Sequence, residues 1–78
     1  MKITDKELNN AVDRLNTRIK DDFALEWAYG GVRLSDKFGG VDILDSGYTT
    51  KKDLYYRIEA YRQGWEDARK ASLEAMEV

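Results

Sequence analysis

The hydrophobic residues of the first twenty positions repeat with the period of an α-helix. Four large apolar side chains follow at spacings of four, three and four residues, at Leu8, Val12, Leu15 and Ile19. That spacing places them on one stripe of a helix. Just before the stripe, Thr4 and Glu7 match a capping box, in which each side chain accepts the other residue's backbone N–H. The pattern predicts a helix over residues 5–20.

From Phe23 the period changes to two, as expected for β-strands. Apolar side chains alternate with smaller or polar ones at Phe23, Leu25, Trp27 and Tyr29. Gly30 and Gly31 permit the positive φ angles of a tight turn, after which residues 32–37 alternate again. Gly39 and Gly40 mark a second turn, and residues 41–45 form a third, shorter apolar run. These patterns predict a three-stranded antiparallel meander.

A long helix is predicted for the end of the chain. Its apolar stripe recurs at spacings of four, three, four and three residues, at Leu54, Ile58, Tyr61, Trp65 and Ala68. Thr50 and Asp53 provide a weaker capping signal. A helix over residues 51–74 would be about 36 Å long, which is longer than a core of this size can cover. We therefore expect the segment after about residue 68 to fray, to project, or to pack against a second copy in a homodimer.

Together these elements predict one α+β domain over residues 1–78, in the order helix, three strands, helix (αβββα). Both helices are expected on one face of the sheet. The expected core draws on both helices and the first two strands: Leu8, Val12, Leu15, Ile19, Leu25, Trp27, Val32, Leu34, Leu54, Ile58, Tyr61 and Trp65. A domain of this length without disulfides has a small core, so dimerisation would add stability.

The composition narrows the chemistry, because the 78 residues include no His and no Cys. Their absence excludes a zinc site, a disulfide, a thiolate nucleophile and a Ser-His-Asp triad. The glycine pairs match neither a dinucleotide-binding nor a P-loop pattern, and no Asp-x-Asp-x-Asp loop for a hard metal ion occurs. We therefore expect no enzymatic activity, no catalytic residue, no cofactor and no metal.

Charge is spread rather than concentrated, with a net charge of −2. Residues 1–22 carry five basic and five acidic side chains, residues 23–46 two and four, and residues 47–78 six and six. No segment forms the Lys/Arg footprint of an autonomous DNA-binding domain, so direct nucleic-acid binding is disfavoured. The N-terminus lacks a signal-peptide h-region, and no apolar run is long enough to span a bilayer. A cytoplasmic protein without membrane contact is expected.

Aromatic residues are the most informative feature of the composition, since five of the nine are tyrosines. Tyrosine is favoured at binding surfaces because it offers a large contact area at little entropic cost. Nearby arginines and the first glycine turn complete a predicted partner-binding surface: Tyr29, Gly30, Gly31, Arg33, Tyr48, Tyr55, Tyr56 and Arg57. The alternative is that some of these tyrosines cover a sheet edge or a dimer interface.

Residues 28–64 contain a series of motifs that resembles small phage- and prophage-encoded proteins of mostly unknown function. In that class an AYGGYxL strand, a glycine turn and a helix of the type (T/S)(K/R)(R/K)ELYxxIxAxxxG follow in order. Here the strand reads AYGGVRL and the helix begins TKKDLYYRI, so Val32 replaces an aromatic residue and Asp53 replaces Glu. The resemblance implies a phage origin, a location in the cytoplasm of an infected or lysogenic bacterium, and an accessory role. It carries over no catalytic residue.

Three functions from different classes follow from these observations. The first is non-catalytic inhibition of a host or bacterial-defence protein, for example a CRISPR complex, by direct binding. The second is a dimeric nucleic-acid-binding or regulatory protein, whose affinity would fall steeply with salt. The third is sequestration of a small ligand in a pocket between the helices and the sheet, which would raise thermal stability when the ligand is present.

Overall fold

The computed structural model describes residues 2–37 and 40–76. Within them the chain forms two helices, α1 (Asp5–Ile19) and α2 (Lys51–Met76), and two strands, β1 (Ala24–Ala28) and β2 (Gly31–Ser35). The strands form an antiparallel hairpin in which Leu25 lies opposite Leu34. The α+β class is therefore as predicted, but the number of strands is not.

The predicted capping box at the start of α1 is confirmed. The Thr4 hydroxyl accepts the Glu7 N–H at 3.2 Å, and the Glu7 carboxylate accepts the Thr4 N–H at 3.1 Å. The helix ends at Ile19, one residue earlier than predicted. Lys20 adopts a left-handed conformation at φ 56° and donates its N–H to the carbonyl of Asn16, which closes the helix in the usual way.

The predicted third strand is wrong, because residues 41–50 pair with β2 only at two isolated bridges. Asp42 pairs with Ser35 and Thr49 pairs with Val32. Between these bridges the chain leaves the sheet, and the Gly47 N–H donates to the Asp42 carboxylate at 2.8 Å. A short polar side chain that bonds nearby backbone in this way competes with strand pairing. The meander is thus reduced to a hairpin followed by a loop.

The hairpin turn lies one residue earlier than the predicted Gly30–Gly31 turn. Tyr29 and Gly30 occupy its centre, with φ angles of 52° and 74°, as a two-residue type I′ turn requires. Gly31 is instead the first residue of β2, and a Cβ there would lie 3.0 Å from the carbonyl oxygen of Thr49. At the second predicted turn Gly39 lies outside the described residues, and the Gly40 N–H donates to the Asp36 carboxylate at 3.0 Å.

The core lies between the two helices and one face of the hairpin. Its buried members come from α1, β2, α2 and the residue before the first cap: Ile3, Leu8, Ala11, Val12, Leu15, Val32, Leu34, Leu54 and Ile58. Ile19 and Leu25, predicted as core, are partly buried and pack against this cluster.

Three aromatic residues predicted as core are not fully buried. Trp27 is 50% exposed, Tyr61 is 40% exposed, and Trp65 is half-buried. For Tyr61 the cause is the direction of the helix contact. The row of α2 that faces α1 continues from Ile58 to the partly buried Arg62, four residues on, and not to Tyr61, three residues on. Both spacings lie on one helix face, so periodicity alone could not separate them.

The two helices run parallel, and ion pairs mark their alignment. Lys51 bonds Asp5 at 3.0 Å where both helices begin, and Arg18 bonds Glu66 at 3.1 Å where α1 ends. With 26 residues against 15, α2 extends beyond α1, and the side chains of residues 67–72 are exposed. Neither helix, over the described residues, has the length and apolar content needed to cross a membrane.

Candidate functional site

Tyr29 is the most exposed large hydrophobic side chain among the described residues, at 93%. It is also one of the few non-glycine residues with a positive φ, at 52°. Bulky side chains are rare in this region because the Cβ crowds the backbone, and Asn or Gly is the usual choice in a type I′ turn. The turn therefore keeps an exposed aromatic side chain at a conformational cost.

Tyr48 and a cross-strand ion pair support Tyr29 from below. The Tyr29 and Tyr48 rings meet edge to face with their centroids 5.3 Å apart. The guanidinium of Arg33 lies 4.9 Å from the centre of the Tyr48 ring, within the range of a cation–π contact. Arg33 in turn donates to one oxygen of Glu26 at 2.9 Å and 3.1 Å. Glu26, Tyr29, Arg33 and Tyr48 form what we call the hairpin surface.

The Glu26 carboxylate joins the two halves of the hairpin surface. One oxygen accepts the Tyr48 hydroxyl at 2.5 Å while the other accepts Arg33. The Tyr48 hydrogen bond, followed by that of Arg33, holds the pKa of Glu26 below its ordinary value. The same bond raises the pKa of the Tyr48 phenol. Glu26 therefore accepts hydrogen bonds from both Arg33 and Tyr48 and holds the two side chains in place.

The backbone explains how Tyr48 reaches a strand from which it is distant in sequence. Glu26 and Arg33 are opposite residues of the hairpin, so their side chains share one face. Thr49 exchanges two backbone hydrogen bonds of 2.9 Å with Val32, which places Tyr48 beside β2. Because Gly31 has no Cβ, the backbone of Tyr48 and Thr49 can approach this closely.

A shallow cavity of about 240 Å³ lies beside the turn, between the hairpin and the start of α2. Its lining joins one aromatic side chain to the turn glycines and the first residues of the helix: Trp27, Gly30, Gly31, Val32, Thr49, Thr50 and Lys51. The half-exposed Trp27 indole thus forms the aromatic wall of this cavity.

The structure brings together five of the predicted surface residues and places three elsewhere. Tyr29, Gly30, Gly31, Arg33 and Tyr48 lie at the hairpin.

The other three predicted residues lie on α2. Tyr55 packs against the core and lines a small cavity with residues of α1. The Tyr56 ring contacts that of Tyr55 at 5.7 Å and is 50% exposed. Arg57 bonds Asp53 at 2.8 Å and, together with the Thr49 hydroxyl, lowers the pKa of Asp53.

Sequence reasoning missed Glu26 and Trp27 as members of this region. Glu26 was recognised only as an acidic residue of the middle segment, and Trp27 was assigned to the core. One signal for Glu26 was present, because a two-residue turn at Tyr29 and Gly30 places residues 26 and 33 opposite each other. Placing the turn one residue too late removed that pairing.

A second cluster of charged groups connects the helices. Glu59 accepts hydrogen bonds from Arg14 at 3.0 Å and from Arg62 at 2.8 Å. Glu66 accepts one from Arg62 at 3.1 Å and forms an ion pair with Arg18 at 3.1 Å. We call these five residues the interhelical ion-pair chain. Partial burial alone would raise the pKa of Glu59, but hydrogen bonds from Arg62 and Arg14 outweigh it and hold the pKa below its ordinary value.

A cavity of about 430 Å³ lies along the interhelical ion-pair chain. It is lined by Asp13, Thr17 and the three arginines of the chain. Because each of those arginines already bonds a glutamate, the groove presents neutralised charge rather than a site for an anion. Within residues 2–37 and 40–76, no three acidic side chains lie close enough together to hold a metal ion.

Comparison with known proteins identifies no relative. No protein-family model matches the chain, and neither a curated protein sequence nor a solved structure matches it. The resemblance of residues 28–64 to small phage-encoded proteins therefore stays a prediction.

Proposed function

We propose that the protein is a non-catalytic binding protein whose hairpin surface engages a partner protein. The observation that carries the proposal is the state of Tyr29, which is almost fully exposed in a conformation that costs stability. Costly backbone conformations persist where they serve a function. An exposed tyrosine held by a second tyrosine and an ordered arginine is typical of the anchors that dominate protein interfaces.

The charges around the hairpin surface favour a protein over a nucleic acid. Arg33 is its one cation, and Glu26 already accepts hydrogen bonds from it. Asp42 lies close enough to Glu26 to act on its titration, so the local charge balance is negative. A phosphate backbone would be repelled here, whereas the aromatic rings suit an apolar or mixed protein surface.

The partner we propose is a host or bacterial-defence protein, for example a CRISPR complex, that is inhibited by being bound. Support for this class of partner comes from the resemblance of residues 28–64 to phage-encoded accessory proteins. Inhibition by occlusion needs no catalytic group, which agrees with a chain whose surface chemistry is that of tyrosine and paired arginine.

The test is an affinity capture from bacterial lysate containing active defence complexes, with and without nuclease. The tagged protein is compared with Tyr29→Asn, which keeps a residue suited to the turn but removes the ring. Tyr56→Ala is the matched control, because Tyr56 is an exposed tyrosine outside the hairpin surface. We expect one partner that survives nuclease, is retained by Tyr56→Ala, and is reduced at least about tenfold by Tyr29→Asn.

Two outcomes would contradict the proposal. Capture of nucleic acid alone, lost on digestion, would favour the nucleic-acid-binding alternative. A protein partner that is lost by Tyr56→Ala and retained by Tyr29→Asn would move the binding surface to α2.

A further inference from the structure

One edge of the hairpin is open, and the pairing shows which backbone groups it offers. Val32 and Thr49 exchange both of their backbone hydrogen bonds, so the N–H and C=O of Val32 point away from β1. In an antiparallel pair, opposite residues share this orientation. Trp27 lies opposite Val32, and Leu25 lies opposite Leu34. The N–H and C=O of Leu25 and Trp27 therefore point away from β2, toward the free edge of β1.

The two edges of the hairpin are treated differently by the rest of the chain. On the β2 side, Thr49 bonds both outward groups of Val32, and the Leu34 carbonyl accepts the Ile43 N–H at 2.9 Å. On the β1 side, no hydrogen bond to the outward groups of Leu25 or Trp27 is found within the described residues. A row of unpaired backbone groups of this kind is a template for another strand.

Asn16 shows how such a pairing is made at the end of this edge. Phe23 is two residues before Leu25, so its N–H and C=O face the same way. The Asn16 amide bonds both groups, accepting the Phe23 N–H at 2.9 Å and donating to the Phe23 carbonyl at 3.0 Å. The side chain thus takes the place of one residue of a neighbouring strand and leaves the next two outward positions unpaired.

We propose that the partner protein docks by adding an extended, antiparallel segment to the edge of β1, bonding the backbone of Leu25 and Trp27. This inference rests on the proposed function and specifies the kind of partner segment that the protein recognises. Strand addition draws affinity from main-chain hydrogen bonds and specificity from alternate side chains. The half-exposed Trp27 ring supplies an apolar contact for a side chain on one face of the added strand.

In the register that pairs Leu25 with Trp27, Glu26 counts against a second copy of this chain. If two β1 edges paired antiparallel with Leu25 opposite Trp27 of the other copy, the two Glu26 side chains would face each other. Like charges directly opposite each other destabilise a sheet. A segment with lysine, arginine or an uncharged residue opposite Glu26 has no such penalty. The edge therefore favours a different chain with a non-acidic residue at that position.

Amide hydrogen exchange by NMR tests the inference on the isolated protein, with designed peptides as probes. The first probe is a capped nine-residue peptide of alternating valine and lysine, and the second replaces each lysine with glutamate. A third carries an N-methyl group on every residue and cannot donate a backbone hydrogen bond along either edge. We expect the lysine peptide to slow exchange of the Leu25 and Trp27 amides about tenfold at saturation. The Glu26 amide, already bonded within the hairpin, should not change.

The charge preference is checked with Glu26→Gln, which removes the charge at nearly constant shape. The unaltered protein should prefer the lysine peptide to the glutamate peptide by about threefold, and Glu26→Gln should lose that preference. Failure of every peptide to protect Leu25 and Trp27, or equal protection by the N-methylated peptide, would overturn strand addition. Protection that rises with protein concentration alone would show a second copy at the edge and would also overturn it.

The result is independent of the lysate experiment. Capture of a partner through Tyr29 without peptide protection at β1 would retain the proposed function and reject this docking mode. Peptide protection without any captured partner would support strand addition at β1 and reject the proposed function.

Discussion

The hairpin surface and the interhelical ion-pair chain both bring arginines against glutamates, yet they differ in what they leave exposed. In the chain, each glutamate bonds two arginines, and the contacts tie α1 to α2 along their length. At the hairpin, the Glu26–Arg33 pair holds an aromatic side chain, Tyr48, against which Tyr29 stands almost fully exposed. The first arrangement pairs its charged groups with each other across two helices, whereas the second presents an aromatic side chain to solvent. This difference separates a structural cluster from a candidate binding surface.

The largest change in stability is expected from Gly31→Ala, which should displace the backbone of Tyr48 and so disturb the hairpin surface. A Cβ at this position would lie 3.0 Å from backbone atoms of Tyr48 and Thr49, so the loop must move away from β2. We expect a loss of about 1–3 kcal/mol, measured by urea unfolding, with loss of the Tyr29–Tyr48 ring contact. Gly40→Ala is the matched control, since nothing lies within 4 Å of a Cβ there. Equal effects of the two substitutions would contradict the close approach.

A smaller loss is expected from Arg62→Met, which opens the interhelical ion-pair chain at its centre. Arg62 bonds both glutamates and is 22% exposed. Its removal should cost about 1 kcal/mol and raise the pKa of Glu59, without affecting partner capture. Arg57→Met, which breaks an exposed pair within one helix turn, should have a clearly smaller effect. Loss of partner capture in Arg62→Met would place the binding surface at the interhelical ion-pair chain instead of the hairpin surface.

Gly64→Ala should stabilise α2 by about 0.5–1 kcal/mol, because an exposed helix interior favours Ala over Gly. No atom lies within 4 Å of a Cβ at this position, so no close packing depends on the glycine. Thermal unfolding measures the change. A loss of stability would show that the helix face at Gly64 contacts another surface in solution.

The smallest expected effect is electrostatic and belongs to the hairpin surface. Tyr48→Phe removes the hydrogen bond that most lowers the pKa of Glu26, so this pKa should rise toward 4.5 while Arg33 still holds it down. Carboxyl NMR titration measures it, with Asp53 as an unaffected control. A depressed folded-state pKa contributes stability above pH 4.5 that is lost as the pH falls through the folded value. Tyr48→Phe should therefore weaken the acid dependence of unfolding, and an unchanged Glu26 titration would contradict the assigned bond.

The helices could be predicted from sequence because their signals are local. The Thr4–Glu7 box and the apolar stripes mark the helix starts and buried faces within a few residues. The apolar residues after Gly40 suggested a third strand, but the hydrogen bond from the Gly47 N–H to Asp42 competes with strand pairing there. Tyr61 was wrongly assigned to the core because the packed row of α2 runs through Arg62, and only the position of α1 decides between them.

The candidate site was predicted only in part, because local sequence patterns link only some of its residues. Tyr29 and Arg33 are close in sequence, and Tyr48 joins them through pairing of Thr49 with Val32 that no local pattern indicates. Tyr55 and Tyr56 were predicted for the same surface because they lie off the apolar stripe of the second helix, and in the structure their rings contact each other.

The most direct test of the central claim is to measure stability and partner capture together for Tyr29→Asn. If the exposed ring is retained for binding at the expense of the turn, Asn should relieve the left-handed strain. The free energy of unfolding should then rise by about 1 kcal/mol, while capture of the lysate partner falls at least about tenfold. A variant that is less stable than the original protein, or that captures the partner as well as before, would contradict the account.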